Sequence, residues 1–268
     1  MRNKIASALM ITIALTGCQK ELHLNSSKLN LANNNNFIKQ DIPTFLETKP
    51  IEAPIIPGIP EPPDTVQVVS NPSDVLVVVN KTNILPADYI PKLVKPDIPF
   101  YFSDDLPKRY LRPVAAKAVQ DLFLEAKKAD IHLLGASGYR SYNRQKSLFS
   151  NYVNSYGLEE ANKFSAYPGQ SEHQTGLTLD VTSRGMNYKL EEEFGSTPEG
   201  KWLANNSYKY GFIIRYLKGK ENITGYTYEP WHIRYVGIDA AKEMHNKQIT
   251  LEEYLQSKNL YVIRIQDI

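Results

Sequence analysis

The chain has 268 residues, 42% of them hydrophobic and 17 of them tyrosine, enough apolar material for a substantial core in one large domain or two small ones. Its formal charge of +2 includes Arg2 and Lys4 at the extreme N-terminus; without that pair, basic and acidic residues are level. Near balance with no basic run excludes nucleic acid as the main partner, and one cysteine, Cys18, excludes an intramolecular disulfide.

Residues 1–17 predict a signal peptide: Arg2 and Lys4 form a basic start, and Ile5 to Leu15 form an apolar run too short for an ordinary membrane span. Leu15-Thr16-Gly17-Cys18 resembles a bacterial lipobox, which implies lipidation of Cys18 and an extracytoplasmic protein anchored to the cell membrane. An ordinary secretory signal is the alternative, and both place the protein outside the cytoplasm. Residues 18–65 predict a tether. Asn33 to Asn36 is a polar tract, and Pro43, Pro50, Pro54, Pro57, Pro60, Pro62 and Pro63 remove backbone donors too often for a helix or a central strand. Phe45, Leu46 and Ile55-Ile56 leave open a partly ordered strap.

The folded domain is expected over 66–268. Val75 to Val79 is β-branched and bounded by Asn71-Pro72 and Asn80, which predicts a buried strand, with an extended Pro-containing stretch following from Leu85 to Pro99. After Arg112-Pro113, the positions Val114, Ala118, Leu122 and Ala126 recur at helical spacing. Gly135 to Ser141 predicts a strand-to-helix junction at which the glycines permit close backbone approach. Ser141 would cap a helix with Leu148, Phe149, Tyr152, Val153 and Tyr156 on one face, ended by Gly157. Arg140 and Gln145 fall where both can point into one pocket at that helix's N-terminus, although a surface salt bridge is the ordinary fate of an arginine standing alone.

Leu177 to Val181 alternates as a strand, placing Asp180 and Thr178 on one face. The acidic run Glu191 to Glu193 predicts a solvated face. Thr197-Pro198 opens a short helix carrying Trp202 and Leu203, and Gly211 to Tyr216 predicts a strand. A polar turn, Lys218 to Gly225, leads to a partner strand from Tyr228 to Tyr235, forming a hairpin beside the strand that bears Asp180. Ala240 to His245 predicts a helix, Thr250 to Glu253 a capping box, and Leu260 to Ile265 a last strand. Strands and helices do not alternate regularly, so the expected class is α+β.

Two segments carry the chemistry: Ser171-Glu172-His173-Gln174-Thr175-Gly176 with Asp180, and Glu229-Pro230-Trp231-His232. Catalytic zinc takes three protein ligands and keeps a fourth position open, with a neighbouring carboxylate free to act as base. His173, Asp180 and His232 would be ligands, and Glu229 the base. A histidine beside a strand is ordinarily a structural or surface residue, and spacing alone keeps that option open for either pair; convergence of two distant segments favours metal. His23, His132 and His245 lack a comparable carboxylate and are expected to be structural or solvent-facing.

Those segments, with Ser137-Gly138-Tyr139-Arg140-Ser141, Gln145, Thr197 to Leu203 and Tyr210 to Tyr216, resemble zinc carboxypeptidases of the VanY and LdcB type, over about Val75 to Gly237. The resemblance implies the Hedgehog/D-Ala-D-Ala peptidase fold, a small mainly antiparallel sheet flanked by helices, and removal of a terminal D-alanine from peptidoglycan stem peptides. It implies Zn2+ held by His173, Asp180 and His232, with Glu229 as general base. It further implies that Arg140 orients the substrate carbonyl and stabilises the developing oxyanion, and that Gln145 and Ser171 contact the D-alanine end. No protein partner is expected, and the chain would act as a monomer. An endopeptidase of the same fold and a non-catalytic wall-binding protein are the alternatives, and D,D- versus L,D-specificity stays open.

Overall fold

The computed structural model describes residues 66–261. The signal peptide, Cys18, the tether and positions 262–265 of the expected last strand lie outside them; Leu260 and Tyr261 are in no strand. Among the described residues no helix is long and apolar enough to cross a membrane.

A small parallel pair, β1 (Gln67–Val68) and β2 (Asn83–Ile84), precedes α1 (Pro113–Lys128), β3 (Leu134–Ser137), α2 (Tyr142–Tyr156) and α3 (Leu158–Phe164). Then come β4 (Thr178–Thr182), α4 (Pro198–Asn206), β5 (Phe212–Ile214), α5 (Glu221–Thr224), β6 (His232–Tyr235), α6 (Ile238–Lys247) and α7 (Leu251–Ser257). Strands β3 to β6 form one antiparallel sheet in the order β3-β4-β6-β5, so the class is α+β as expected.

The two-residue alternation of β4 divides the sheet chemically. Leu177, Leu179 and Val181 enter a core with Ile233 of β6, Phe212 of β5 and the α1 residues Val119, Leu122 and Phe123. Thr178, Asp180 and Thr182 take the opposite direction, as do His232 and Arg234 on β6, and that polar face is buried too. Full burial of a leucine such as Leu122 or Leu179 contributes about 1.5–3 kcal/mol, so the apolar side fixes the register. In that register Asp180 lies directly opposite His232, and Thr178 opposite Arg234.

Helix ends follow their local chemistry. Pro113 occupies the first turn of α1, Ser141 accepts from the Arg144 amide at 3.2 Å to start α2, and Thr250 and Glu253 form the expected capping box. Gly135 is required by close approach: a Cβ there would lie 2.7 Å from the Phe100 ring.

Several expectations are corrected. Val75 to Val79 is not a strand, although Val77, Val78 and Val79 are buried; the Val75 and Val77 carbonyls accept from the Arg234 guanidinium instead of from a neighbouring strand. On the face of α1, Leu122 and Ala126 are buried as expected, but Val114 is 46% exposed, and Ala115, Ala116 and Val119 are buried beside them. Of the apolar residues expected along α2 only Phe149 is fully buried, and Tyr156 is 61% exposed. The polar turn contains α5, and α3 follows Gly157 directly. Strand β6 starts at His232 rather than Tyr228, because Pro230 cannot donate to a ladder.

Candidate active site

The shortened β6 brings Glu229 to the site. Three residues apart on a strand, Glu229 and His232 would face opposite sides. Here residues 229–232 form a turn closed by the His232 amide donating to the Glu229 carbonyl at 3.2 Å, and the Glu229 carboxylate comes 3.5 Å from His232 Nδ1. His173 arrives from a short 3-10 turn, Glu172–Thr175, that ends at Gly176 with φ of 67°, where a left-handed backbone suits glycine.

His173, Asp180 and His232 are all buried, and one potential ligand atom from each lies within 4.8 Å of the others. His173 Nε2 is 3.2 Å from Asp180 Oδ2, and His232 Nδ1 is 3.1 Å from Asp180 Oδ1. Ligand atoms held tetrahedrally at 2.0–2.1 Å from one ion are about 3.4 Å apart, so these separations are of the right size.

Hydrogen bonding sets the tautomers. His173 Nδ1 lies 2.7 Å from the Gly138 carbonyl, which can only accept, so the proton is on Nδ1 and Nε2 presents its lone pair. His232 Nε2 lies 3.4 Å from the buried Glu172 carboxylate and Nδ1 3.1 Å from Asp180; with a cation at Asp180 the ring proton belongs on Nε2, and Nδ1 would turn its lone pair to the cation. Asp180 Oδ1 is buried and has no hydrogen-bond partner. Imidazole lone pairs converging on the two oxygens of one buried carboxylate repel them unless a cation lies between, so this donor set fits a divalent metal.

The electrostatics agree. Burial lowers the His173 pKa, and Arg140 and His232 add to that, which keeps the ring neutral. Burial works against a charged His232, yet the Asp180, Glu172 and Glu229 carboxylates around it carry its pKa up to about 9: three anions favour positive charge at this point, which a bound cation would supply in place of the proton on Nδ1. Glu229, 20% exposed, is pushed up to about 7 by burial, with Asp180 and Glu172 reinforcing and His232 and Arg140 opposing.

Arg140 and Gln145 meet, but only Arg140 lines the cleft. Arg140 Nη1 donates to Gln145 Oε1 at 2.9 Å and Nη2 to Ser137 Oγ at 3.3 Å. The Gln145 amide donates to the Ala166 carbonyl at 2.6 Å, so both ends are engaged and Gln145 stands behind Arg140. Arg140, Ser171, Glu229 and the three ligand candidates line one cleft of about 310 Å³, with Tyr152, Tyr216, Tyr226 and Trp231 among its walls. His132 is exposed beside Asp130, and His245 stacks on Tyr208 at 3.8 Å, so neither joins the site.

The VanY family model, described as D-alanyl-D-alanine carboxypeptidase, matches residues 108–238. The putative carboxypeptidase YodJ of Bacillus subtilis (strain 168) is 51% identical over 194 residues, 72% of this chain and 71% of that one. The chain belongs to the VanY carboxypeptidase family. A D-alanyl-D-alanine carboxypeptidase of Enterococcus faecalis (strain ATCC 700802 / V583) is 34% identical over 192 residues, 68% of this chain and 66% of that one. Among solved structures, the LdcB LD-carboxypeptidase superposes with a TM-score of 0.70 at 50% identity, covering 73% of this chain and 92% of that one. A VanY D,D-pentapeptidase in complex with Zn(II) gives a TM-score of 0.56 at 34% identity, covering 68% and 98%. The fold is the one these enzymes share.

Four residues of this region were given no role from sequence: Glu172, Arg215, Arg234 and Tyr216. Arg234 carried a signal. It lies two residues after His232 on one strand, hence on the same buried face, and a buried arginine demands a carboxylate.

Proposed function

We propose that this VanY-family carboxypeptidase is a zinc enzyme that removes the C-terminal D-alanine from peptidoglycan stem peptides. The observation that carries the proposal is the convergence of His173 Nε2, Asp180 and His232 Nδ1, with the two imidazoles turned toward one buried carboxylate, His173 Nε2 toward its Oδ2 and His232 Nδ1 toward its Oδ1. His173, Asp180 and His232 would hold zinc, and the ion would supply Lewis-acid chemistry for water and the scissile carbonyl. Glu229 accepts a proton from the attacking water and returns it to the leaving amine, its carboxylate opening to the cleft 3.5 Å from His232. Arg140, fixed by Gln145 and Ser137, directs its remaining N–H groups at the carbonyl oxygen as charge develops there. Ser171, on the cleft wall, is placed to contact the peptide's D-alanine end.

Export and attachment through Cys18 belong to the same proposal and rest on the N-terminal sequence: a lipid-anchored enzyme at the outer face of the membrane would reach the wall through its Pro-rich tether. Palmitate labelling of wild type and Cys18→Ser tests the anchor.

Defined tetrapeptide and pentapeptide stems, incubated side by side, test the activity. Release of free D-alanine is the expected result, and products cut only within the stem would favour an endopeptidase. Glu229→Ala should keep its zinc and lose turnover, while His173→Ala should lose both. Undiminished turnover in the Glu229 variant would remove that base.

A further inference from the structure

Beneath the cleft lies a group of ionised side chains that never reaches solvent. The Glu172, Arg215 and Arg234 side chains are 0% exposed and Glu252 1%. Arg234 Nη1 and Arg215 Nε both donate to Glu172 Oε1, at 2.6 and 2.8 Å. Arg215 then reaches Glu252 on α7 with two bonds of 2.9 and 2.7 Å, and Arg234 Nη2 takes the Val75 and Val77 carbonyls at 2.8 and 2.9 Å. Asn80 Nδ2 donates to Glu252 Oε1 at 3.1 Å.

The two oxygens of Glu172 are therefore unequal. Oε1 is held by two guanidinium groups, which leaves Oε2 for Thr178 Oγ1 and His232 Nε2, both at 3.4 Å. We propose that Glu172 is a positioning residue: with Oε1 locked by Arg215 and Arg234, its Oε2 holds the His232 proton on Nε2 and so keeps Nδ1 available to the metal. The proposal rests on the zinc reading given above. It extends the site beyond the matched 108–238 segment, because Glu252 and the Val75, Val77 and Asn80 groups that anchor the arginines lie outside it. A buried ion pair is a poor source of net stability; a fixed tautomer at a ligand is a use for which such a costly cluster is suited.

Glu172→Gln isolates the effect. Its oxygen stays with the two guanidinium groups, so the amide NH2 takes the place of Oε2 and meets His232 Nε2 with a donor. The ring must then accept at Nε2 and carry its proton on Nδ1, where the metal needs a lone pair. Glu252→Gln perturbs the same cluster at its far end, leaving Oε2 of Glu172 unchanged.

Zinc affinity by chelator competition, melting of each metal-free protein, and ¹H–¹⁵N spectra of the zinc-loaded histidine rings are the measurements. Glu172→Gln is expected to bind zinc about 10- to 100-fold more weakly, with Glu252→Gln within about threefold of wild type. The wild-type spectrum should show a slowly exchanging His232 Nε2–H. Equal losses in the two variants, or wild-type affinity in a folded Glu172→Gln, overturn the proposal. If Glu172→Gln does not fold, a wild-type His232 ring coordinated through Nε2 overturns it on its own. A wild type that binds no zinc would instead sink the functional reading beneath it.

Discussion

Arg140→Ala separates the oxyanion role from the metal site. Of the five guanidinium N–H groups, Gln145 Oε1 takes one and Ser137 Oγ another at the side-chain level, so donors remain to face the cleft. Removing a donor aimed at a developing oxyanion costs about 2.7–4 kcal/mol of transition-state stabilisation, or about 10²- to 10³-fold in kcat. A second, smaller cost falls on folding: Gln145 is 2% exposed, and its Oε1 loses the guanidinium donor, at about 1–3 kcal/mol. Steady-state kinetics on a stem peptide, zinc content by atomic absorption and thermal melting measure the three quantities separately. The expected pattern is a large fall in kcat, one zinc per chain retained, and a melting point lower by several degrees. Arg140→Lys should recover folding only in part, since one ammonium cannot match the planar fork that engages Gln145 and Ser137 together. A kcat for Arg140→Ala within tenfold of wild type would refute the oxyanion assignment, and loss of zinc would show that Arg140 acts on the ligands instead.

Chelation should lower stability as well as activity: zinc at about 1,000 times its Kd stabilises by about 4.1 kcal/mol, so EDTA is expected to drop the melting temperature by about 10 °C, and an unchanged melt would mean that no metal is held. Gly200→Ala should destabilise α4 despite the better helix propensity of alanine, because a Cβ at 200 runs into the Phe194 carbonyl and lies 3.0 Å from Gly195 Cα; a loss of about 1–3 kcal/mol is expected from denaturant melts. Ending the chain at Gly237 removes Glu252 from Arg215 and uncovers Ile213 and Val236, which α6 and α7 bury through Ala241, Met244 and Leu255; calorimetry of that shortened chain should show no cooperative transition.

Sequence patterns carried the elements whose cause is local. The proline at the start of α1, the Ser141 cap, the capping box at Thr250 and the alternation of β4 each depend on a few consecutive residues, and each is where it was expected. Val75 to Val79 failed for a non-local reason. Its β-branched side chains are buried, but its carbonyls are taken by Arg234, more than 150 positions away, and nothing within the segment announces that partner. The strand expected from Tyr228 failed for a local one: Pro230 was in plain view, and the turn it permits moves Glu229 to the same side as His232.

The site divides along the same line. His173, Asp180, Glu229 and His232 could be picked out because unpaired imidazoles and carboxylates in an apolar neighbourhood are costly unless chemistry uses them. Glu172 shared a motif with His173 and still received no role, because its partners sit at 215, 232 and 234, on or just beyond strands whose pairing the sequence does not print. Once β4 and β6 are in register, however, the assignment follows by elimination. Arg234 must face the side of His232, that side is sealed from water, and a sealed guanidinium needs an anion that is not already committed to the metal. Asp180 is grouped with the two histidines, Glu229 opens to the cleft and Glu252 is paired with Arg215, which leaves Glu172. Candidate ligands are thus readable from composition and convergence, whereas the groups proposed to aim them become readable only when strand register is known, because aiming is a matter of which of two nitrogens or two oxygens faces which neighbour.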